Sequence, residues 1–175
     1  MTSFYDLTIP VLTKVLQSEV TILKNAEDYA KDNSKSVGDL LAARLAPDMY
    51  PLSLQVNIIV ILTQQALKLL LGQDFNLEFK EYTQEECHTI LADNISKLAN
   101  INPESINGKE SETLEWTIGK EKTSATDLSD VQRYLIPSVY FHLMTSYSIL
   151  RKEGVPLGKK TYLTHLIDGW TFTSA

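Results

Sequence analysis

The hydrophobic pattern of the chain predicts four long helices and one change of period. Leu12, Val15, Leu16, Glu19, Ile22, Leu23, Ala26 and Ala30 recur at i, i+3, i+4 and i+7, with Lys14, Gln17, Ser18, Lys24, Glu27 and Asp28 mostly on the other side. Pro10 belongs in the first turn if Thr8 is the N-cap, or kinks the helix if Ser3 is. Residues 33–36 end this helix, and Asp39 to Leu45 supplies one or two further turns before Pro47. From Pro51 to Leu71 apolar residues cover almost the whole circumference, and Gly72 provides the stop. A helix apolar all round is enclosed by partners, so this one is the centre of the core, with Gln55 and Asn57 as amides that need buried partners.

Further along, Thr83-Gln84-Glu85-Glu86 forms a capping box ahead of a third helix whose inward residues are Cys87, Ile90, Leu91, Asn94, Ile95, Leu98 and Ile101. The period then becomes two. Leu114, Trp116 and Ile118 alternate with Thr113, Glu115 and Thr117, Gly119-Lys120 turns the chain, and residues 112–126 read as a hairpin lying on the helices through Trp116. Phe75, Leu77 and Phe79 alternate in a connector draped over the bundle. Ser129 to Gln132 forms a second capping box opening a last long helix to about Lys152, with Gly154 beyond it, and Pro137 kinks that helix one turn before His142. Residues 155–175 read as an extended wrap whose aromatics seal one end. The expected architecture is all-α: one four-helix-bundle domain over residues 1–175, helices running up and down, with a small hairpin between the third and fourth long helices.

Composition narrows the function classes. A formal charge of −6 over 175 residues, with no basic run longer than Lys159-Lys160, argues against a nucleic-acid partner. The single cysteine, Cys87, rules out an intrachain disulfide and favours a reducing compartment. The N-terminus lacks the features of a signal peptide. Leu52 to Leu67 is interrupted by six polar residues, too polar and short for a membrane span. A cytoplasmic protein with no membrane partner is the expectation.

Candidate chemistry gathers at two proline-marked segments. In residues 43–55 a rigid connector bearing Pro47 and Pro51 carries Arg44, Asp48, Met49, Tyr50 and Gln55. Arg44 and Asp48, four apart, read first as a local ion pair locking the Pro47 turn. If the last helix delivers His142 to them, Asp48 orients its ring, Arg44 clamps a carboxylate or phosphate, and Gln55 adds an orienting amide. Asp48 and His142 are then the catalytic candidates, and Arg44, Gln55, Met49 and Tyr147 the substrate-binding ones. The alternative for each is structural: His142 as a core histidine on a stripe with Leu135, Val139, Ser146 and Ile149, Met49 and Tyr50 as packing, and Tyr140, Met144, Tyr147 and Arg151 as a second packing stripe. Cys87 and His88 are adjacent and point apart, which disfavours a Cys-His nucleophile. His165 reads as a surface residue.

Three segments carry a family likeness: Phe4-Tyr5-Asp6-Leu7-Thr8-Ile9-Pro10-Val11, residues 43–52, and residues 140–151 with Gly154-Val155-Pro156-Leu157-Gly158-Lys159. Together they resemble a bacterial and fungal domain-of-unknown-function family similar to the DinB/YfiT-like four-helix bundles, over most of the chain to about Leu163. That superfamily includes metalloenzymes and thiol S-transferases. The resemblance implies the bundle, and it implies a metal site with one His from the second long helix and a His-x-x-x-His pair from the fourth. Residues 51–71 contain no His, Asp or Glu, and Ser146 stands four residues after His142. One ligand of three is matched, so neither metal nor cofactor is expected. Three functional readings follow: an interhelical small-molecule pocket near His142 and the connector, serving a metal-independent enzyme or a binding protein; a divergent DinB-like metalloprotein or thiol S-transferase; and a noncatalytic interaction or stress protein acting as a homodimer.

Overall fold

The structure, a computed structural model, describes residues 2–73, 78–118, 121–126 and 131–170, the backbone alone in 114–118 and 121–126. The long helices are α1 (Ile9–Asp32), α3 (Leu52–Leu71), α4 (Gln84–Ala99) and α5 (Ile136–Lys152). Two short helices, α2 (Val37–Ala42) and α6 (Lys159–Leu163), follow α1 and α5. Between α4 and α5 stand a 3₁₀ turn, Pro103–Ser105, and the strands β1 (Thr113–Ile118) and β2 (Glu121–Thr126). The strands pair antiparallel, with Thr113 opposite Thr126 and Ile118 opposite Glu121, as the alternation predicts. The turn between them and the docking of Trp116 lie outside the described residues.

Local chemistry explains the helix boundaries. Thr8 precedes α1 and Pro10 occupies its first turn, where a missing N–H costs nothing; the Thr8 hydroxyl donates back to the Phe4 carbonyl at 2.9 Å. Ser3 instead closes a local turn with Asp6. Ser36 caps α2, which spans Val37–Ala42 and not the expected Asp39–Leu45, since the Ala43 backbone is already extended. Gly72 ends α3 in the left-handed region at φ 66°, where glycine escapes the Cβ penalty. The Thr83–Glu86 capping box forms in both directions.

Pro137 lies where a π-helical turn passes without a break into the last long helix, the Leu135 backbone between them being helical. A π-helical turn, Val131–Leu135, leads in, and α5 starts at Ile136, so the proline falls in a first turn, where it displaces no α-helical hydrogen bond. Ser129 and Asp130 lie outside the described residues.

The helix directions follow from which ends meet. Leu23, Ala26 and Glu27 of α1, Leu52 of α3, and Gln84 and Cys87 of α4 surround one void of about 10 Å³, too small for more than about one water. At the other end the Tyr5 amide donates to Asn107, beyond α4, and Gln132 donates to the Leu7 carbonyl. The helices therefore run up, down, down, up in chain order. Around the bundle α1 lies between α4 and α5, and α3 faces it, most extensively packed on α5. Helices α3 and α4 run the same way, and the described connector residues 78–83 lead into α4 beside the start of α3. Asn57 of α3 holds that connector by donating to the Glu78 carbonyl at 3.1 Å.

The core is a continuous cluster including Ile9, Leu12, Leu16, Ile22, Leu52, Ile59, Leu67, Leu91, Leu98, Leu135, Val139 and Ile149, all at most 1% exposed. By length and composition alone α3 could cross a bilayer, but 67% of its most apolar window is buried within the bundle, as a central core helix requires. Residues 159–169 of the tail are not extended: α6 packs on α1, and the chain turns through to residue 169. His165, expected on the surface, is half-buried with Nε2 2.8 Å from the Thr21 hydroxyl of α1. Gly154, at φ 95°, ends α5 beneath Tyr29, whose hydroxyl lies 2.8 Å from where a Cβ would stand.

Candidate functional site

The seam between α3 and α5 brings together two of the residues singled out in the sequence. Gln55 sits in the first turn of α3, immediately after the Pro51 start, and is 2% exposed. Its Nε2 donates to the Tyr50 carbonyl at 2.9 Å, and its Oε1 lies 2.7 Å from His142 Nδ1 on α5. An amide nitrogen committed to a carbonyl leaves only the amide oxygen for the ring, and that oxygen can only accept. His142 Nδ1 therefore carries the proton, and Nε2 keeps its lone pair. Burial pulls the His142 pKa down to about 4, so the ring is neutral around pH 7. Phe141 stacks edge-on against it, ring centres 5.2 Å apart.

The connector is rigid, but not for the expected reason. Arg44 does not pair with Asp48; its guanidinium donates to the Met49 carbonyl at 2.7 Å and lies 3.8 Å from the Glu81 carboxylate. Asp48 is exposed and makes no hydrogen bond or ion pair among the described residues, with His142 or otherwise. Lys152, at the end of α5, ties down the connector by donating to the Arg44 carbonyl at 2.8 Å. Met49 is half-buried. Tyr147 is turned to the tail, donating to the Leu157 carbonyl at 3.3 Å and packing edge-on with Tyr162. Thus His142 meets Gln55 and, through it, the connector backbone; Arg44 and Tyr147 are engaged elsewhere, and Asp48 stands exposed.

Cys87 is buried, and burial, then the charge of Glu19, pushes its thiol up to about 12, which excludes a thiolate nucleophile at neutral pH. His88 pairs with Glu27 of α1, away from the sulfur's role in the core. Among the described residues no three His, Cys, Asp or Glu side chains stand close enough to hold a metal. His142 is joined at this seam by the Gln55 amide, and one turn on along α5 stands the buried Ser146, a donor set that does not fit zinc or its neighbours.

One buried ionisable group was not singled out in the sequence. Glu19, in the middle of α1, is 0% exposed, with neither carboxyl oxygen hydrogen-bonded in regular geometry. Burial raises its pKa to about 8, and the Ser146 hydroxyl of α5, the nearest counterweight, offsets this only in part. The available signal was its position, a carboxylate on the i, i+3, i+4 stripe between Leu16 and Ile22.

No curated protein matches the chain. A crystal structure of a DinB family member protein from Shewanella denitrificans is similar in fold at a TM-score of 0.81, with 29% sequence identity over 98% of this chain and 94% of that one. A family described as a domain of unknown function, DUF1993, matches residues 4–163. With motif segments, bundle and family match covering the same span, the chain belongs to the DUF1993 family and has a DinB-like fold.

Proposed function

We propose that this protein binds a small molecule at the α3–α5 seam, with His142 Nε2 as the hydrogen-bond acceptor, and general base if the ligand is turned over. The supporting observation is the Tyr50–Gln55–His142 relay, which fixes the tautomer of a ring that burial keeps neutral. A neutral imidazole with one nitrogen anchored by an amide is pre-organised for accepting a proton or hydrogen bond at the other. Exposed Phe141 and Met144 on α5, and the edge-on pair of Tyr50 and Phe79 beside the connector, offer apolar surface for the ligand's body. A hydrophobic body carrying one hydrogen-bond donor is the chemical class this combination selects.

Diethyl pyrocarbonate acylates unprotonated imidazole nitrogen and tests the premise. His142 should react at Nε2, with a rate that persists below pH 5 and follows a pKa near 4. A fragment screen read on the His142 and Gln55 side-chain NMR signals tests the binding: hits should shift both, and His142→Ala should abolish them. Hits that map only to other surfaces, or that survive His142→Ala, reject the site. The metalloprotein reading draws on the likeness to the DinB family member alone, and stoichiometric zinc, nickel, iron or manganese in protein purified without chelator would restore it.

A further inference from the structure

We propose that Glu19 is a proton-held latch: a neutral carboxylic acid that closes α1 against α4 and α5, and whose loss of a proton to solvent loosens that seam. The inference stands on the geometry of the core and not on the reading of His142. Glu19 is 0% exposed and both its oxygens lack a regular hydrogen bond, as do the hydroxyls of neighbouring Ser18 and of Ser146 on α5. A carboxylate so placed has the Ser146 hydroxyl to offset its burial, but desolvation outweighs it and favours the protonated form.

The groups that could hold it ionised come from four sides. From α4 the facing buried group is the Cys87 thiol, itself neutral, with Glu86 carrying a like charge farther out. From α5 come the Ser146 hydroxyl and, one turn earlier, the neutral ring of His142. Helix α3 contributes no acid or histidine, and its lysine, Lys68, lies in the far last turn. Along α1, Glu27 is again like-charged and is paired with His88, while Thr21 receives His165 from the tail. Among the described residues, the buried polar groups include no Lys, Arg or His. The helix macrodipole offers nothing either, since Glu19 is more than two turns from either end of α1.

The pH window follows from the sign of the shift. The unfolded carboxyl titrates near 4.5 and the folded one near 8. Below the lower value both states are protonated and pH has no effect through this group. Between the two, folding takes up one proton, and the unfolding constant rises about tenfold per pH unit. Above the upper value the cost is complete and the slope disappears.

Infrared spectroscopy of the intact native protein reads the latch directly. A protonated-carboxyl stretch should be present at pH 6, fade through about pH 8, and be missing in E19Q. Hydrogen exchange of amides in α1 and α5 near Glu19 and Ser146, corrected for the intrinsic rate, should accelerate as the pH rises toward 8 and level off above it in the native protein, and not in E19Q. A native protein without that stretch at pH 6, or E19Q with the same stretch or the same alkaline acceleration, overturns the proposal. If E19Q does not fold, E19M takes its place in both comparisons, and the titration of the native stretch alone still decides whether the acid is protonated.

Discussion

Two polar seams cross the core of this bundle, and they are built in opposite ways. Between α3 and α5, Gln55 and His142 are joined to each other and to the backbone of Tyr50, leaving each group in one defined role. Between α1 and α5, Glu19 and Ser146 are buried more deeply than His142 but lack regular hydrogen bonds. Burial pushes both ionisable groups toward neutrality, His142 by losing a proton and Glu19 by keeping one. The difference lies in what neutrality leaves behind. Neutral His142 has a satisfied donor and a defined acceptor, while neutral Glu19 still has unmet hydrogen-bonding capacity. A buried polar group thus becomes either a fixed instrument or a source of instability, depending on its partners.

The largest test of this contrast replaces Glu19 with an apolar residue of similar volume. The rise from 4.5 to about 8 corresponds to about 5 kcal/mol at high pH. Glu19→Met should therefore stabilise the fold at pH 9 by about 3–5 kcal/mol in urea denaturation, with the gain shrinking as the pH falls toward 5. Gln55→Leu should act in the reverse direction. It strips the partner from His142 Nδ1 and from the Tyr50 carbonyl, costing about 2–3 kcal/mol in the same assay. If both substitutions stabilise, or both destabilise, the two seams do not differ as described.

The acid limb gives the next effect. His142 titrates near 6.5 when unfolded and near 4 when folded, so it contributes no pH dependence above the upper value. As pH falls between the two the unfolded state takes up the proton, and about 2 kcal/mol of stability should be lost through this group, the ring's partial exposure limiting the size. Above pH 4.5 that loss runs against the gain through Glu19, so the native profile should be nearly flat there, and His142→Gln should unmask the Glu19 slope across the whole span from 4.5 to 8. The smallest effect belongs to the connector. Arg44 and Glu81 are 41% and 56% exposed, so Arg44→Ala should cost less than about 1 kcal/mol in thermal denaturation and leave the His142 titration unmoved.

Much of the fold was legible because it rests on local rules. The Thr83–Glu86 capping box, the Gly72 stop, the Pro51 start and the period change at residues 113–126 each follow from neighbouring residues alone. The candidate site was legible in part. Gln55 and His142 drew notice as amide and imidazole near the core, and the structure joins them. Spacing suggested that Arg44 would pair with Asp48, but Met49 offers a carbonyl nearer to hand and Glu81 arrives from the returning connector, 37 positions along the chain. Tyr147 is claimed by the tail, whose short helix carries no strong periodic pattern. Glu19 was visible as a residue of the apolar stripe, but its isolation depends on Cys87 and Ser146, which local pattern does not place beside it.

The order up, down, down, up has a kinetic consequence. In a bundle of successive hairpins each helix can pack on its sequence neighbour as soon as a short turn closes. Here α1 and α5, first and last of the long helices, lie side by side and parallel. Their seam is pinned by Gln132 on Leu7 and Tyr29 on Glu153, contacts more than a hundred residues apart. Closing that seam encloses most of the chain in one loop, so folding should be slower than helix content alone suggests. Glu19 lies on the same seam, so the proton it holds is coupled to contacts between the first and last long helices.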